Sequence, residues 1–217
     1  MIMTKEEIFN RIFPLACRYM RADVLKIDKE FSDKAFEAFK LLTKDVRFKG
    51  LDETVKTVDI FNLQPELTGR SEDLSFYLDG CEEAVIMATT LGVDVDSHSK
   101  KLQATDMGFA VIYDSLASSY LEFLTDEFEK ELDLGEHTFR FAPGYGDIPI
   151  ELNYIIIDSF GISKKIGIYK ASNNLMLPQK SMITMCGLGK QSVPTCRNCI
   201  RLNSCSLRKD NLRCYNS

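Results

Sequence analysis

Arg140-Phe141-Ala142-Pro143-Gly144-Tyr145-Gly146-Asp147-Ile148-Pro149 is the stretch on which the reading of this chain turns. Pro143 fixes one backbone dihedral, whereas Gly144 and Gly146 admit conformations that other residues avoid and let a ligand lie against bare backbone. A tight turn needs no more than these. Arg140 and Tyr145 add chemistry: a guanidinium is a planar fork matched to a carboxylate, and a phenol offers an aromatic face with a hydroxyl. Pro149 suits the first turn of a helix expected over 149–160. The loop therefore runs from a strand expected near 138–142 into a helix N-terminus, which favours negative charge.

Immediately upstream, residues 106–132 predict the longest helix, with Phe109, Ile112, Leu116, Tyr120 and Phe123 in an apolar stripe at spacings of three and four. A second stripe is polar: Asp114, Ser118, Glu122 and Asp126, each four apart. Ala117-Ser118-Ser119 keeps the helix thin midway, so another group can approach closely. For Asp114 and Asp126 the ordinary reading is a solvated face.

Farther out, Ile8, Ile12, Leu15 and Ala16 predict a helix over 4–20. Phe36, Ala38, Phe39 and Leu42 predict another over 32–45, with Ser32 as its N-cap. Residues 50–70 are mixed, with turns at Pro65 and Gly69. Ser71 caps a short helix through Leu78, closed by Gly80. Ala84 to Thr89 is a short apolar run that reads as a buried strand. Strands are expected over 166–171 and 181–187, and near 52–60. Helices outnumber strands without β-α-β alternation, which predicts an α+β fold: a mainly antiparallel sheet with flanking helices. There is no Gly-rich phosphate loop.

The 217 residues carry 27 Lys/Arg against 32 Asp/Glu, a net charge of -5 that argues against general nucleic-acid binding. From Lys180 onward seven Lys/Arg face one acid, Asp210, a net of +6 that leaves -11 for the rest. A basic tail of this kind suits an acidic partner or cofactor. No apolar run approaches the roughly 20 residues of a membrane helix. Lys5, Glu6 and Glu7, followed by an apolar stretch broken at Pro14, do not read as a secretory signal. A cytoplasmic protein with reduced thiols is expected.

Of seven cysteines, five lie in the last 32 residues. Cys17 and Cys81 sit among apolar neighbours and read as core residues. Cys196-x-x-Cys199, then Cys205 and Cys214, form a thiol cluster that could hold zinc or an iron–sulfur cluster, with Cys186 ten residues before. Redox-active thiols and unliganded thiols remain alternatives, because the second pair lacks zinc-ribbon spacing. Lys190, Arg197, Arg201, Arg208 and Lys209 would offset thiolate charge. The chain thus divides into 1–188 and a basic cysteine-rich tail, 189–217. His98 and His137 read as incidental surface residues.

The loop resembles that of the S-adenosylmethionine-binding activation domain of cobalamin-dependent methionine synthase. Its Arg-x-Ala-Pro-Gly-Tyr signature is matched by Arg140, Ala142, Pro143, Gly144 and Tyr145. Ile166-Gly167-Ile168 through Ser172 to Met176-Leu177-Pro178 is similar to a second family stretch, and the likeness spans roughly 70–188. It implies that Arg140, Ala142, Gly144 and Tyr145 contact S-adenosylmethionine, that Glu122 meets the ligand's ammonium, and that Cys186 falls where the family has a ligand-contact Tyr. Gly146-Asp147-Ile148-Pro149 replaces a Pro-x-Cys-Pro type run of the family. Stand-alone bacterial forms with a cysteine-bearing tail share the Gly-Tyr-Gly-Asp-x-Pro variant.

The function so implied is reductive reactivation of methionine synthase, with methyl transfer from S-adenosylmethionine to cobalamin on a partner core protein and an electron donor supplying the reduction. Such a module needs no acid/base pair or triad of its own. Two other readings stay open: a non-catalytic S-adenosylmethionine-binding or metal-stabilised adaptor, and an electron-transfer activator of another corrinoid methyltransferase.

Overall fold

A computed structural model describes residues 3–192. In chain order the helices are α1 (Lys5–Tyr19), α2 (Lys29–Asp45), α3 (Thr57–Leu63), α4 (Pro65–Thr68), α5 (Glu72–Leu78), α6 (Val93–Thr105), α7 (Met107–Glu131), α8 (Leu152–Ser159) and α9 (Ile162–Ile166). The strands are β1 (Lys49–Lys56), β2 (Glu83–Thr90), β3 (Tyr169–Lys170), β4 (Met176–Leu177) and β5 (Ser181–Gly187). The expected α+β class is the one observed.

The three long strands form a sheet of order β1-β2-β5, and β3 pairs antiparallel with β4. Backbone bonds at the strand ends give the direction of each pair. Arg47 N–H reaches Leu91 while Thr57 N–H reaches Glu82, and Leu91 N–H reaches Lys180 while Leu188 N–H reaches Glu83. Residue numbers rise on one strand as they fall on its neighbour, so both pairs are antiparallel.

The chain groups into two compact units: one of residues up to Leu51 with Thr89–Asp133 and Ser163–Met182, the other of Asp52–Ala88, Leu134–Ile162 and the residues from Ile183. In the first, α7 is the central helix against which α1, α2 and α6 pack. Its core holds Phe9, Ile12, Phe39, Leu42, Ile112 and Leu116. Phe39 is fully buried, with ring centroids 5.8 Å from Phe9 and 5.3 Å from Tyr120. Burying one such side chain contributes about 1.5–3 kcal/mol. Asp106 caps α7 by accepting from Phe109 N–H.

Several boundaries differ from the sequence reading. Asp28, not Ser32, caps α2, accepting from Phe31 N–H at 2.8 Å. The added turn carries Phe31, which packs on the same core. The strand expected over 166–171 is mostly absent, because α9 occupies 162–166 and Gly167, at φ +81°, ends it in a left-handed conformation. Only Tyr169 and Lys170 are strand. Thr57 begins α3, so β1 stops before the expected 60. Pro149–Glu151 is a turn, and α8 starts at Leu152. The sequence reading missed α6, whose buried residues are only Val95 and Ser99, too few for an apolar stripe.

Candidate functional site

In place of the continuous strand expected near 138–142 there are two isolated antiparallel bridges, His137 to Leu188 and Phe141 to Met185. From 137 to 141 is one step more than from 185 to 188, so an extra residue is accommodated within 138–140. That is a bulge, a device that interrupts a ladder and re-aims side chains. Half-buried Arg140 stands inside it.

The loop that follows is pinned at both ends and open between. Phe141 and Ile148 are each 2% exposed, and Pro143 is buried, whereas Gly144, Tyr145, Gly146 and Asp147 face solvent. Three backbone bonds close it: Tyr145 N–H to Ala142 at 3.0 Å, Ile148 N–H to Tyr145 at 3.0 Å, and Gly144 N–H to Ile148 at 2.8 Å. Gly144 sits at φ +89° and Gly146 at φ +57°. A Cβ on Gly144 would meet Ile150 at an ordinary 3.7 Å, so it is the dihedral and not space that calls for glycine there.

Tyr145 is 38% exposed, with its ring centroid 6.2 Å from Tyr77 and 6.5 Å from Phe139. Tyr77 in turn lies 5.0 Å from both Phe139 and Phe141. One flank of the loop is therefore an aromatic cluster built around α5. The other flank is polar. The Asp147 carboxylate accepts from Ser71 Oγ at 2.7 Å, from Glu72 N–H at 2.9 Å and from Asp73 N–H at 3.0 Å. Asp147 N–H donates back to Asp73 Oδ2 at 2.9 Å. Burial pushes the Asp147 carboxyl up, but the Ser71 hydroxyl and the N–H groups of Asp73 and Glu72 outweigh it and hold the group below its ordinary value. Ser71 and Glu72 also line, with Arg70, Ser75, Phe76 and Asp79, an open cleft of about 460 Å³.

Ser71 was read correctly as the cap of α5, accepting from Leu74 N–H at 3.0 Å. Its second bond, to Asp147, escaped the sequence reading; the signal was the Gly146-Asp147-Ile148-Pro149 run that replaces the Pro-x-Cys-Pro type run of the resembling family.

Arg140, Ala142, Gly144, Tyr145 and Cys186 fall in the second unit, and Glu122 in the first. Glu122 is half-buried on α7, and its charge, after burial, raises the Tyr19 phenol. The polar stripe of α7 has a specific use at its other end. Lys180, whose side chain is 13% exposed, places Nζ 2.9 Å from Asp114 Oδ1 and 2.9 Å from Ser118 Oγ. Asp114 is thus half of an ion pair rather than a purely solvated face.

Cys17, Cys81 and Cys186 are buried thiols, none of them in a disulfide. Cys186 is fully enclosed in β5, and burial pushes the Cys17 and Cys81 thiols up. Cys196, Cys199, Cys205 and Cys214 lie outside the described residues. Among the described residues no group of three or more His, Cys, Asp or Glu is placed to hold a metal ion. The start of the expected tail is held to the second unit: Gly189 N–H donates to Glu136 O at 2.7 Å, and Lys190 Nζ to Asp79 O at 2.8 Å. His98 is not incidental. Its Nδ1 lies 2.8 Å from Asp45 Oδ2, which also accepts from the buried Tyr113 hydroxyl at 2.7 Å. No described helix is long and apolar enough to cross a membrane.

Among solved structures the chain is similar to the MetH reactivation domain bound to AdoHcy, with a TM-score of 0.59 over 89% of this chain and 78% of that one. It has the fold of that domain. Sequence identity is 14%, so the likeness is one of architecture. No protein-family model and no curated protein matches the sequence. The reactivation-domain fold was expected from the Arg140–Tyr145 loop and the order of elements around it.

Proposed function

We propose that this chain binds S-adenosylmethionine through the Arg140–Tyr145 loop and uses it to reactivate a separate, cobalamin-bearing methionine synthase core. The observation that carries the reading is the loop itself: an Arg-x-Ala-Pro-Gly-Tyr run, open at Gly144 and Tyr145, in a chain with the fold of a domain whose solved structure holds S-adenosylhomocysteine. S-adenosylhomocysteine is what remains when S-adenosylmethionine gives up its methyl group.

Arg140 supplies the cation for the ligand's carboxylate, Ala142 and Gly144 leave backbone within reach, and Tyr145 adds a half-exposed ring. Glu122, by resemblance, is the carboxylate proposed for the ligand's ammonium. These residues bind and orient; they transfer no proton and attack no bond. The partner's cobalamin supplies the methyl-accepting chemistry once one electron from a donor has reduced it. Proximity and alignment are then the protein's share of the rate. Cys196, Cys199, Cys205 and Cys214 are proposed to hold zinc or an iron–sulfur cluster, which metal and sulfide analysis of anaerobically purified protein decides.

The test is reconstitution. Mixed with a cobalamin-loaded methionine synthase core, a reductant and S-adenosylmethionine, the chain should convert inactive cobalamin to its methylated form, and omission of the chain or of the methyl donor should abolish conversion. Conversion at the same rate without the chain would leave it a binding adaptor. Glu122→Gln, titrated with S-adenosylhomocysteine, measures whether the α7 carboxylate meets the ammonium.

A further inference from the structure

The ligand loop carries two glycines in left-handed conformations, Gly144 and Gly146, in its exposed part. Glycine has the most conformational freedom to lose, so such a loop needs an external tie to keep one shape. The structure provides that tie at one residue, three bonds through its side chain and one through its backbone N–H. Asp147, next to Gly146 and two residues after Tyr145, makes four hydrogen bonds to Ser71, Glu72 and Asp73, residues 74 to 76 positions away.

Its partners are firmly seated. Ser71 is 2% exposed and Asp73 7%, and α5 is anchored by Leu74 at 0% and Leu78 at 2%. The Glu72 and Asp73 N–H groups belong to the first turn of α5, where helix geometry leaves them without an intrahelical acceptor. A carboxylate is the strongest acceptor available to them. The same helix also reaches the loop through Tyr77, whose ring faces Tyr145. One helix thus grips the loop at two points, its N-terminus on Asp147 and its aromatic side on Tyr145.

We propose that Asp147 is a positioning residue of the ligand loop: clasped by Ser71 and the first turn of α5, it holds residues 142–148 in the shape that presents Gly144 and Tyr145 to the ligand. The inference rests on the reading of this loop as the S-adenosylmethionine site. A loop ordered in advance does not have to be ordered by the ligand, and that saving appears as affinity. Asp147→Asn keeps the shape but turns one accepting oxygen into a donor that faces N–H donors, so it opens the clasp without leaving a cavity.

Three full-length variants test this: Asp147→Asn, Ser71→Ala and the double substitution, each titrated with S-adenosylhomocysteine by calorimetry and followed by amide hydrogen exchange without ligand. Each single change should weaken affinity about tenfold. The double should lose less than the sum of the two single losses, because both remove the Ser71–Asp147 bond, although Ser71→Ala also removes the cap on Leu74. Ser71→Thr, which keeps the hydroxyl, should bind within about twofold of the parent. Exchange at Gly144 to Ile148 should accelerate at least tenfold in Asp147→Asn, with α7 amides unchanged.

A lowered melting temperature with unchanged affinity and unchanged loop exchange would make Asp147 a helix cap alone and overturn the proposal. So would additive losses from Ser71→Ala and Asp147→Asn. Should the parent chain not bind S-adenosylhomocysteine, the functional reading fails by itself. Loop exchange then decides the clasp: acceleration supports it, and no change removes it.

Discussion

The helical core of the first unit and the exposed part of the loop in the second are ordered by different forces. In the first, α1, α2, α6 and α7 meet through buried apolar residues such as Phe9, Ile12, Phe39, Leu42 and Leu116. In the second, the stretch that carries the proposed chemistry is kept in shape by hydrogen bonds: three within the loop and four from Asp147 to the start of α5. Apolar packing sums many weak contacts and tolerates the loss of any one polar bond. A clasp concentrated on one residue is specific, and one substitution removes three of its four bonds. The helical unit should therefore respond to mutation in stability, and the loop in ligand affinity.

Phe39→Ala gives the largest expected effect. It empties a fully buried position ringed by Phe9, Phe36's neighbour on the α1 face, and Tyr120, and should cost about 3–5 kcal/mol in denaturant unfolding. A loss below about 1 kcal/mol would mean that the α7 core is not the main source of stability in its unit. Tyr113→Phe should come next, at about 1.5–3 kcal/mol, because a fully buried phenol gives up its bond to the Asp45 carboxylate. S-adenosylhomocysteine affinity should be unchanged in this variant; a tenfold loss would break the separation between the two kinds of order.

Arg140→Ala should do the reverse. It removes the charge-assisted fork proposed for the ligand's carboxylate, weakening S-adenosylhomocysteine binding at least tenfold, or about 1.5–3 kcal/mol. The melting temperature should move little, since Arg140 is only half-buried.

The smallest effect is in pH. The Asp147 carboxyl is held below its ordinary value of 3.8: burial raises it, and the bonds from Ser71, Asp73 and Glu72 more than compensate. A depressed folded value means that the stabilisation is complete above about pH 3.8 and is lost as the pH falls through the folded value. Hydrogen exchange at Glu72 and Asp73 should accordingly be flat from neutrality to about pH 4, after correction for intrinsic rates, and should lose protection only below it. Loss of protection near pH 6 would point to a different titrating group.

The same contrast accounts for what could be read from sequence. Phe109, Ile112, Leu116, Tyr120 and Phe123 announce α7 because a buried helix face leaves a mark at every third or fourth residue. Ala84 to Thr89 announces β2 because a strand buried on both faces is a continuous apolar run. Ser71 and Gly80 mark the ends of α5 through local capping chemistry. The loop was legible as a motif, and the fold around it agrees with the expectation that motif raised.

What the sequence hid was either too short or too distant to leave a period. β4 is two residues long, and α6 buries two. The bulge at 138–140 arises from two bridges out of step, which residue types alone do not signal. Lys180 with Asp114, and Asp147 with Ser71, are polar pairs separated by 66 and 76 residues, and a single hydrogen bond across such a distance leaves no trace in either local pattern.

The most direct measurement is a calorimetric titration of the full chain with S-adenosylhomocysteine, run beside Arg140→Ala and beside Asp114→Asn as a control on the Lys180 pair. The account predicts saturable one-to-one binding by the parent and by Asp114→Asn, weakened at least tenfold in a folded Arg140→Ala protein. No binding by the parent, or equal affinity in Arg140→Ala, would contradict it.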